Sequence, residues 1–183
     1  LHKRSHSFPT RRSSDPRAGF FSGYLDDEAA TERAWRGDWF HTGDIVRADE
    51  TGMLFFIDRR KDMIRRSGEN ISAGEVEATL AAHPQVLRAA VMAVPDELRE
   101  EEVLAVIVPA PGTPADEQTA LELTAYCRGQ LAYYKAPGWV VFRDDIPVTS
   151  TNKLQKHRIF GQGHDPRVGA LDCRDLKKRD PGS

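Results

Sequence analysis

A stretch of five charged residues divides two segments of different character, and it constrains the fold more than any other part of the chain. Residues 58–62 read Asp-Arg-Arg-Lys-Asp. The apolar run before them, residues 53–57, is entered through Gly52 and is typical of a β-strand. The polar segment after them, residues 65–72, contains Gly68. Taken alone, the charged stretch predicts a solvated turn between two strands, so its wider role depends on the motifs around it.

Two further motifs flank this stretch at a distance. Residues 37–44 read Gly-Asp-Trp-Phe-His-Thr-Gly-Asp, and residues 147–153 read Pro-Val-Thr-Ser-Thr-Asn-Lys. In this order and spacing the three motifs resemble the C-terminal part of adenylate-forming enzymes, the acyl-CoA synthetase and ligase superfamily. The resemblance covers roughly residues 17–160. Residues 65–72 look most like the branch of fatty-acyl and carnitine- or crotonobetaine-type CoA ligases.

The resemblance implies an α+β fold in two parts. Residues 16–58 are expected to be the last β-structure of a large AMP-binding domain, and residues 59–160 the small C-terminal domain. That small domain would hold a three-stranded sheet with helices and a short β-hairpin. The sequence agrees, since Ser72 and Glu75 have the form of a capping box for a helix that runs to about Ala82. It also predicts strands at 86–94, 102–108 and 139–142 and a second helix at 117–131.

The two ends of the chain differ from the rest. Residues 1–15 hold His, Lys, Arg and Ser with scarcely an apolar residue, so they lack the apolar core of a secretory signal. They could pass for a transit peptide, but residues 7–15 look like a translated sequencing adapter. We therefore interpret residues 1–15 as a non-native or disordered leader and the chain as a truncated reading frame. Residues 161–183 are polar and glycine-rich and are predicted to be a disordered tail.

Composition argues against several classes of partner. The formal charge of -2 gives no reason to expect nucleic acid or a membrane surface. The longest apolar stretch, near residues 103–109, is too short to span a membrane. Cys127 and Cys173 form no metal-ligand pattern, which favours a reducing, cytoplasmic compartment. No metal site is predicted, because the histidines also lack ligand spacing, namely His41, His83 and His157.

Two residues are candidates for holding a nucleotide. A carboxylate at Asp44 offers two acceptor oxygens that match the adjacent hydroxyls of a ribose, although an Asp beside a glycine is usually only a turn residue. The Arg59 guanidinium donates in a planar fork that suits ribose or phosphate oxygens. The alternative interpretation is that Arg59 is a surface arginine paired with Asp58 or Asp62. By resemblance, Asp44 and Arg59 bind ATP and then the acyl-adenylate.

Three residues are candidates for the hinge and for coenzyme A. By resemblance, Lys61 is the pivot between the two domains of the family. The sequence alone does not show whether the pivot is Lys61, Arg60 or Asp62. Ser67 and Gly68 match the loop that meets the pantetheine of coenzyme A. A glycine allows a backbone to approach a ligand closely, but it also serves any tight turn with a positive φ.

Lys153 is the candidate catalytic residue. By resemblance, its ammonium enters the active site and pairs with the acyl carboxylate and the α-phosphate oxygens, where negative charge gathers. In the family that the chain resembles, a glycine directly precedes this lysine, whereas this chain has Asn152 at that position. Because Asn tolerates left-handed backbone angles better than most residues, the turn is expected to persist.

The resemblance implies an ATP-dependent acyl-CoA ligase that forms an acyl-adenylate and then a thioester. Its substrates would be a small carboxylic acid, ATP and coenzyme A, with Mg²⁺ held by the missing large domain. The fragment alone is expected to be inactive, because no phosphate-binding loop is present. Two alternatives stay open, namely an amino-acid-activating adenylation domain and a non-catalytic small domain that only binds a partner or nucleotide.

Overall fold

A computed structural model describes residues 6–11, 23–36, 39–161 and 163–177. The chain divides into two compact units, Leu1–Lys61 and Asp62–Ser183, which are described separately below. The division falls later than the predicted domain boundary after Asp58. Parts of the predicted segments lie outside the described residues, namely residues 1–5 and 12–15 of the leader, residues 16–22 and 37–38 of the first domain, and residues 162 and 178–183 of the tail.

The first unit is built around one long strand. Its elements are β1 (His6–Arg11), α1 (Glu28–Ala34), β2 (Trp35–Arg36), β3 (Trp39–Ala48) and β4 (Leu54–Arg59). Strand β3 pairs antiparallel with β1, β2 and β4. The charged stretch begins at the end of β4, so the strand predicted from the apolar run is confirmed.

The connections in the first unit follow the polar residues that the sequence places there. Asp27 accepts a hydrogen bond from the Ala30 amide at 2.8 Å and begins α1. Asp49 organises the turn between β3 and β4. Its carboxylate accepts from the Thr51 hydroxyl at 2.7 Å and from the Met53 amide at 2.9 Å. The Thr51 hydrogen bond is the largest favourable cause that lowers the pKa of Asp49.

The disorder predicted for residues 1–15 is wrong for His6–Arg11. The backbone of these residues forms β1, which pairs with β3 from His6–Val46 to Arg11–Trp39 with one shift of register between Ser7 and Pro9. The prediction rested on side-chain composition, whereas a ladder of backbone hydrogen bonds is open to almost any sequence. A free edge on β3 is therefore enough to order a polar segment.

The second unit is a single mixed sheet with two helices, which confirms the predicted α+β class. Its elements are β5 (Met63–Arg66), β6 (Glu69–Ser72), α2 (Ala73–Ala81), β7 (Val86–Asp96), β8 (Glu100–Pro109), α3 (Glu117–Gln130), β9 (Trp139–Phe142) and β10 (Leu171–Asp172). The strand order is β10-β9-β8-β5-β6, and β7 pairs with β8. The hairpin of β5 and β6 joins this sheet through the Arg66–Glu100 pair. Strands β8 and β9 are parallel, with α3 as the connection.

Strand β8 is buried on both faces. Val103, Ala105 and Ile107 belong to the core beneath α2 and α3. The alternate residues on the strand belong to a second core on the opposite face, namely Leu104, Val106 and Val108. This is the pattern expected of a continuous apolar run, since an alternating strand buries one face only. Helix α2 begins as predicted, with the Ser72 hydroxyl accepting from the Glu75 amide at 3.2 Å.

The disorder predicted for residues 161–183 is wrong for residues 163–177. Leu171 and Asp172 pair with β9, and Cys173 is buried in the core beneath the helices. Ala170 packs with the second core. Low overall hydrophobicity concealed these few apolar residues, which pack with one or the other of the two cores. Among the described residues, no helix is both long and apolar enough to cross a membrane.

Candidate functional site

Asp44 and Arg59 face each other across the hairpin of β3 and β4. The strand register places their Cα atoms opposite one another. The Thr42 hydroxyl accepts from the Asp44 amide at 3.1 Å, and Gly43 turns the chain with φ +74°. Arg59 Nε lies 3.3 Å from Asp44 Oδ1. Two residues chosen separately in the sequence therefore form one charged pair.

This pair has capacity left for a ligand. Asp44 Oδ1 is buried and accepts no hydrogen bond from the described residues, because the Arg59 N–H is close but poorly aimed. The Arg59 side chain is 48% exposed and that of Asp44 is 29% exposed. A partly exposed carboxylate beside an exposed guanidinium fits a ribose diol and nearby phosphate oxygens. The residues present are thus compatible with a bound nucleotide.

The partner of Arg59 differs from the two alternatives that the sequence suggested. Asp58 is largely buried, and its carboxylate accepts from the Arg59 backbone amide at 2.7 Å. Asp62 lies 3.9 Å from Lys156 Nζ. The Arg59 side chain instead forms its ion pair with Asp44. Distance along the chain was a poor guide here, because strand pairing brings together residues that are not neighbours in sequence.

Lys61 occupies a single 3₁₀ turn, Arg60–Asp62, between β4 and β5. Both Arg60 and Lys61 are exposed. The division between the two compact units falls directly after Lys61. An exposed one-turn segment at a unit boundary has few packing contacts that would oppose a change in its backbone angles.

Ser67 and Gly68 form the two-residue turn of the β5–β6 hairpin. Both have positive φ, +50° and +82°. Arg66 pairs with Glu69 across the turn, which is the geometry of a type I′ hairpin. A Cβ built on Gly68 would have no atom within 4 Å, so the turn is open and its glycine is required by φ. Because the turn is open and exposed, a long, narrow ligand could approach its backbone closely.

Lys153 closes a tight loop after β9. The Thr149 amide donates to the Lys153 carbonyl at 2.8 Å, and the Lys153 amide donates to the Thr149 hydroxyl at 3.0 Å. Asn152 has φ +63°, so the turn persists without the glycine of the resembled pattern, as predicted. The Lys153 side chain is exposed. The loop therefore holds the lysine backbone firmly and leaves its ammonium to solvent.

The basic residues after Lys153 have partners of their own. Lys156 Nζ lies 2.8 Å from Glu77 on α2, and Arg158 donates to the Gln155 side-chain oxygen at 2.9 Å. The Lys156 side chain is only 24% exposed. Its ammonium is thus anchored to the domain, unlike that of Lys153.

A buried ionic cluster beneath the hairpin was missed by the sequence analysis. Glu102 is fully buried and accepts from Arg66 Nε at 2.7 Å and from Lys177 Nζ. Its carboxylate also accepts from the Val103 amide at 2.8 Å. Burial lowers the pKa of Lys177 to about 8, while the charge of Glu102 opposes that shift. The only sequence signal was a charged residue beginning an apolar strand, because the two cations lie 36 and 75 residues away.

The structure therefore groups the predicted residues into two sets. Asp44 and Arg59 meet within the first unit. Ser67, Gly68 and Lys153 lie on two different loops of the second unit. In the parts of the chain that the structure describes, no group of three His, Cys, Asp or Glu side chains could hold a metal ion.

Comparison with known proteins gives consistent matches. Residues 75–153 match the sequence model of the AMP-binding enzyme C-terminal domain. A probable CoA ligase of Humulus lupulus is 45% identical over 138 residues, covering 75% of this chain and 24% of the relative. The crotonobetaine/carnitine–CoA ligase of Proteus mirabilis is 36% identical over 146 residues, covering 79% of this chain and 28% of the relative.

A solved structure agrees with these matches. The o-succinylbenzoate CoA synthetase of Bacillus subtilis, in complex with its acyl-adenylate intermediate, has a TM-score of 0.64 and 35% sequence identity. The match covers 75% of this chain and 28% of that one. The chain spans about a quarter of the length of the curated relatives that it matches.

Proposed function

We propose that the chain is the hinge and C-terminal part of an ATP-dependent acyl-CoA ligase, a proposal supported by the match of residues 75–153 to the AMP-binding enzyme C-terminal domain. The ligase would convert a carboxylic acid and ATP into an acyl-adenylate and pyrophosphate. The thiol of coenzyme A would then attack the adenylate carbonyl, releasing AMP and an acyl-CoA thioester. A larger domain, corresponding to the rest of the relatives, would supply the acid site and the phosphate-binding loop.

The observation that carries this proposal is the pairing of Asp44 with Arg59. Two side chains with complementary nucleotide-binding chemistry meet at the end of a hairpin, one residue before the 3₁₀ turn that contains Lys61. The Asp44 carboxylate would accept from the ribose hydroxyls, and Arg59 would donate to ribose or phosphate oxygens. A nucleotide held there would lie directly beside the proposed pivot.

Lys153 would act in the first half-reaction. Its exposed ammonium sits on a loop whose backbone is fixed by Thr149. A positive charge so placed stabilises the negative charge that gathers when the carboxylate attacks the α-phosphate. Rotation of the second unit about Lys61 would then withdraw Lys153 and bring the turn of Ser67 and Gly68 to coenzyme A.

The remaining partners follow from the same assignment. Mg²⁺ would accompany ATP and be held by ligands outside the described residues, where it would neutralise phosphate charge. The substrates would be a carboxylic acid, ATP and coenzyme A, and the formal charge of -2 gives no reason to expect nucleic acid as a partner. A reducing, cytoplasmic compartment is supported by two free, buried cysteines, Cys127 and Cys173.

The test separates the two half-reactions in the complete enzyme. Lys153→Ala should lower ATP–pyrophosphate exchange by about a hundredfold to a thousandfold, because it removes a charge that stabilises the transition state. Thioester formation from a supplied acyl-adenylate and coenzyme A should stay near wild type. Lys135→Ala is the matched control, because it removes a charge that pairs with the exposed carboxylate of Glu75.

Three outcomes would count against the proposal. A complete enzyme that forms no AMP from any of a panel of acids would refute the ligase assignment. Equal loss of both half-reactions in Lys153→Ala would mean that Lys153 serves the fold or both steps. A loss of the same size in Lys135→Ala would show that the effect is not specific to Lys153.

A further inference from the structure

The hairpin that ends in Ser67 and Gly68 is held from below by the strand that it meets. The Ser67 amide donates to the Arg99 carbonyl at 3.0 Å, and the Arg65 amide donates to the Glu101 carboxylate at 2.7 Å. Between these two bonds, the side chain of Arg66 reaches Glu102. The turn itself is exposed, and a Cβ built on Gly68 would meet no atom of the described residues within 4 Å. The position of the turn therefore depends on the contacts that Arg65, Arg66 and Ser67 make at the base of the hairpin.

Glu102 is the centre of that base, and its geometry leaves it little freedom. One carboxylate oxygen accepts from Arg66 Nε at 2.7 Å, and the other accepts from the Val103 amide and from Lys177 Nζ. All three charged side chains are almost completely buried, with Lys177 and Arg66 each 3% exposed. A buried carboxylate is stable only while its cationic partners stay in place, so each of the three residues fixes the other two.

Lys177 comes from the segment that follows β10. That segment is attached to the sheet independently, since Cys173 is in the core and its amide donates to the Gly138 carbonyl at 2.9 Å. Gly138 in turn donates to the Val103 carbonyl at 2.8 Å, next to Glu102. The C-terminal segment thus has a rigid attachment from which Lys177 reaches the base of the hairpin.

We propose that Lys177 is a positioning residue for the Ser67–Gly68 turn, acting through Glu102 and Arg66. The C-terminal segment would thereby set the affinity of that turn for coenzyme A, a consequence that rests on the proposed function. Lys177 donates to Glu102 and acts on the turn only through it. Its effect is to keep Glu102, and therefore Arg66, in a single arrangement.

Hydrogen exchange in the full 183-residue chain tests the positioning directly. In Lys177→Met, the Ser67 and Arg65 amides should exchange about tenfold faster, as expected when a buried hydrogen bond to a charged group is lost. Amides of α3 should be unchanged. Lys135→Met removes an equal charge from an exposed ion pair and should leave the hairpin amides as they are. Glu102→Gln weakens the same contacts at nearly constant volume and should accelerate the same two amides.

Each contrary result decides against the proposal. Unchanged Ser67 and Arg65 amides in Lys177→Met would show that the hairpin does not depend on Lys177. Equal acceleration in α3, or loss of the fold in both Lys177→Met and Glu102→Gln, would make the cluster a general stability element.

The link to coenzyme A is tested in the complete enzyme. Lys177→Met should raise KM for coenzyme A about tenfold, matching the loosened turn, and leave pyrophosphate exchange and KM for ATP unchanged. A loosened hairpin with an unchanged KM for coenzyme A would refute the functional part. An inactive wild-type enzyme would refute the proposed function, whereas the amide measurements would still decide the positioning role.

Discussion

Gly138→Ala should be among the most damaging single-methyl additions to the second unit. A Cβ built on Gly138 lies 2.6 Å from both Cγ and Cδ of Glu102. Ordinary contacts between carbon atoms are about 3.5–4.0 Å, so Glu102 or the chain must move by about 1 Å. The φ of Gly138 is outside the left-handed region, so the backbone itself accepts alanine and the clash is the whole effect.

The size of the loss follows from how Glu102 is held. A side chain that ends in solvent would swing away at little cost, but Glu102 is fully buried and bound to Arg66 and Lys177. Overpacking a core costs about 1–3 kcal/mol, and disturbing a hydrogen bond to a buried charge costs about 1.5–3 kcal/mol. We expect the free energy of unfolding to fall by about 3 kcal/mol, with a melting temperature lower by about 10 °C.

Urea unfolding followed by circular dichroism at the helical band measures this loss, because α2 and α3 both lie in the second unit. Gly129→Ala is the matched control. Gly129 is an exposed residue of α3, and a Cβ there has no atom within 4 Å. It should stabilise the unit by about 0.5–1 kcal/mol, because alanine favours the helix. A Gly138→Ala variant within about 1 kcal/mol of wild type would refute the view that Glu102 is immobile.

Two further predictions concern the hinge and the buried thiols. Lys61→Pro in the complete enzyme should preserve pyrophosphate exchange while acyl-CoA formation collapses, because proline fixes φ near about -65° and confines a pivot that must take two conformations. Lys61→Ala should be near wild type, and normal coenzyme A turnover in Lys61→Pro would contradict this role. Burial raises the pKa of Cys127 from 9.0 to about 12 in the folded protein. As the pH rises, the thiol therefore ionises in the unfolded chain before it does so in the folded one. The contribution of Cys127 to the free energy of unfolding is present below pH 9 and is lost as the pH rises toward 12. Replacing Cys127 with alanine should make that alkaline loss shallower, and an identical pH profile by urea unfolding would contradict the assignment.

Most elements of the second unit were predictable because their signals are local. The capping residue Ser72 and the strand at Trp139–Phe142 were read directly from short patterns, and both are present. The left-handed Asn152 was likewise expected from the intrinsic preference of asparagine. The class of the fold followed from the order of these elements, and that prediction is confirmed.

The candidate site was predictable in identity but only partly in arrangement. Asp44 and Arg59 were chosen as separate ligands, and the strand register is what makes them a pair. Local reasoning offered Asp58 or Asp62 as the partner of Arg59 because they are its neighbours in sequence. The roles of Lys61, Ser67, Gly68 and Lys153 remain predictions that the half-reaction experiments address.

The sequence by itself determined the local conformations: where helices begin, where turns need positive φ, and which strands are apolar enough to be buried. Only the tertiary structure decided what covers the second face of β8 and what neutralises Glu102. The physical reason is that a sparse polar segment becomes ordered through contacts that its composition does not reveal. Cys173 and Lys177 add little hydrophobicity to their segment, yet one completes a core and the other offsets a buried charge 75 residues away. The cost of burying an ion is set by its neighbours in space, which no local pattern encodes.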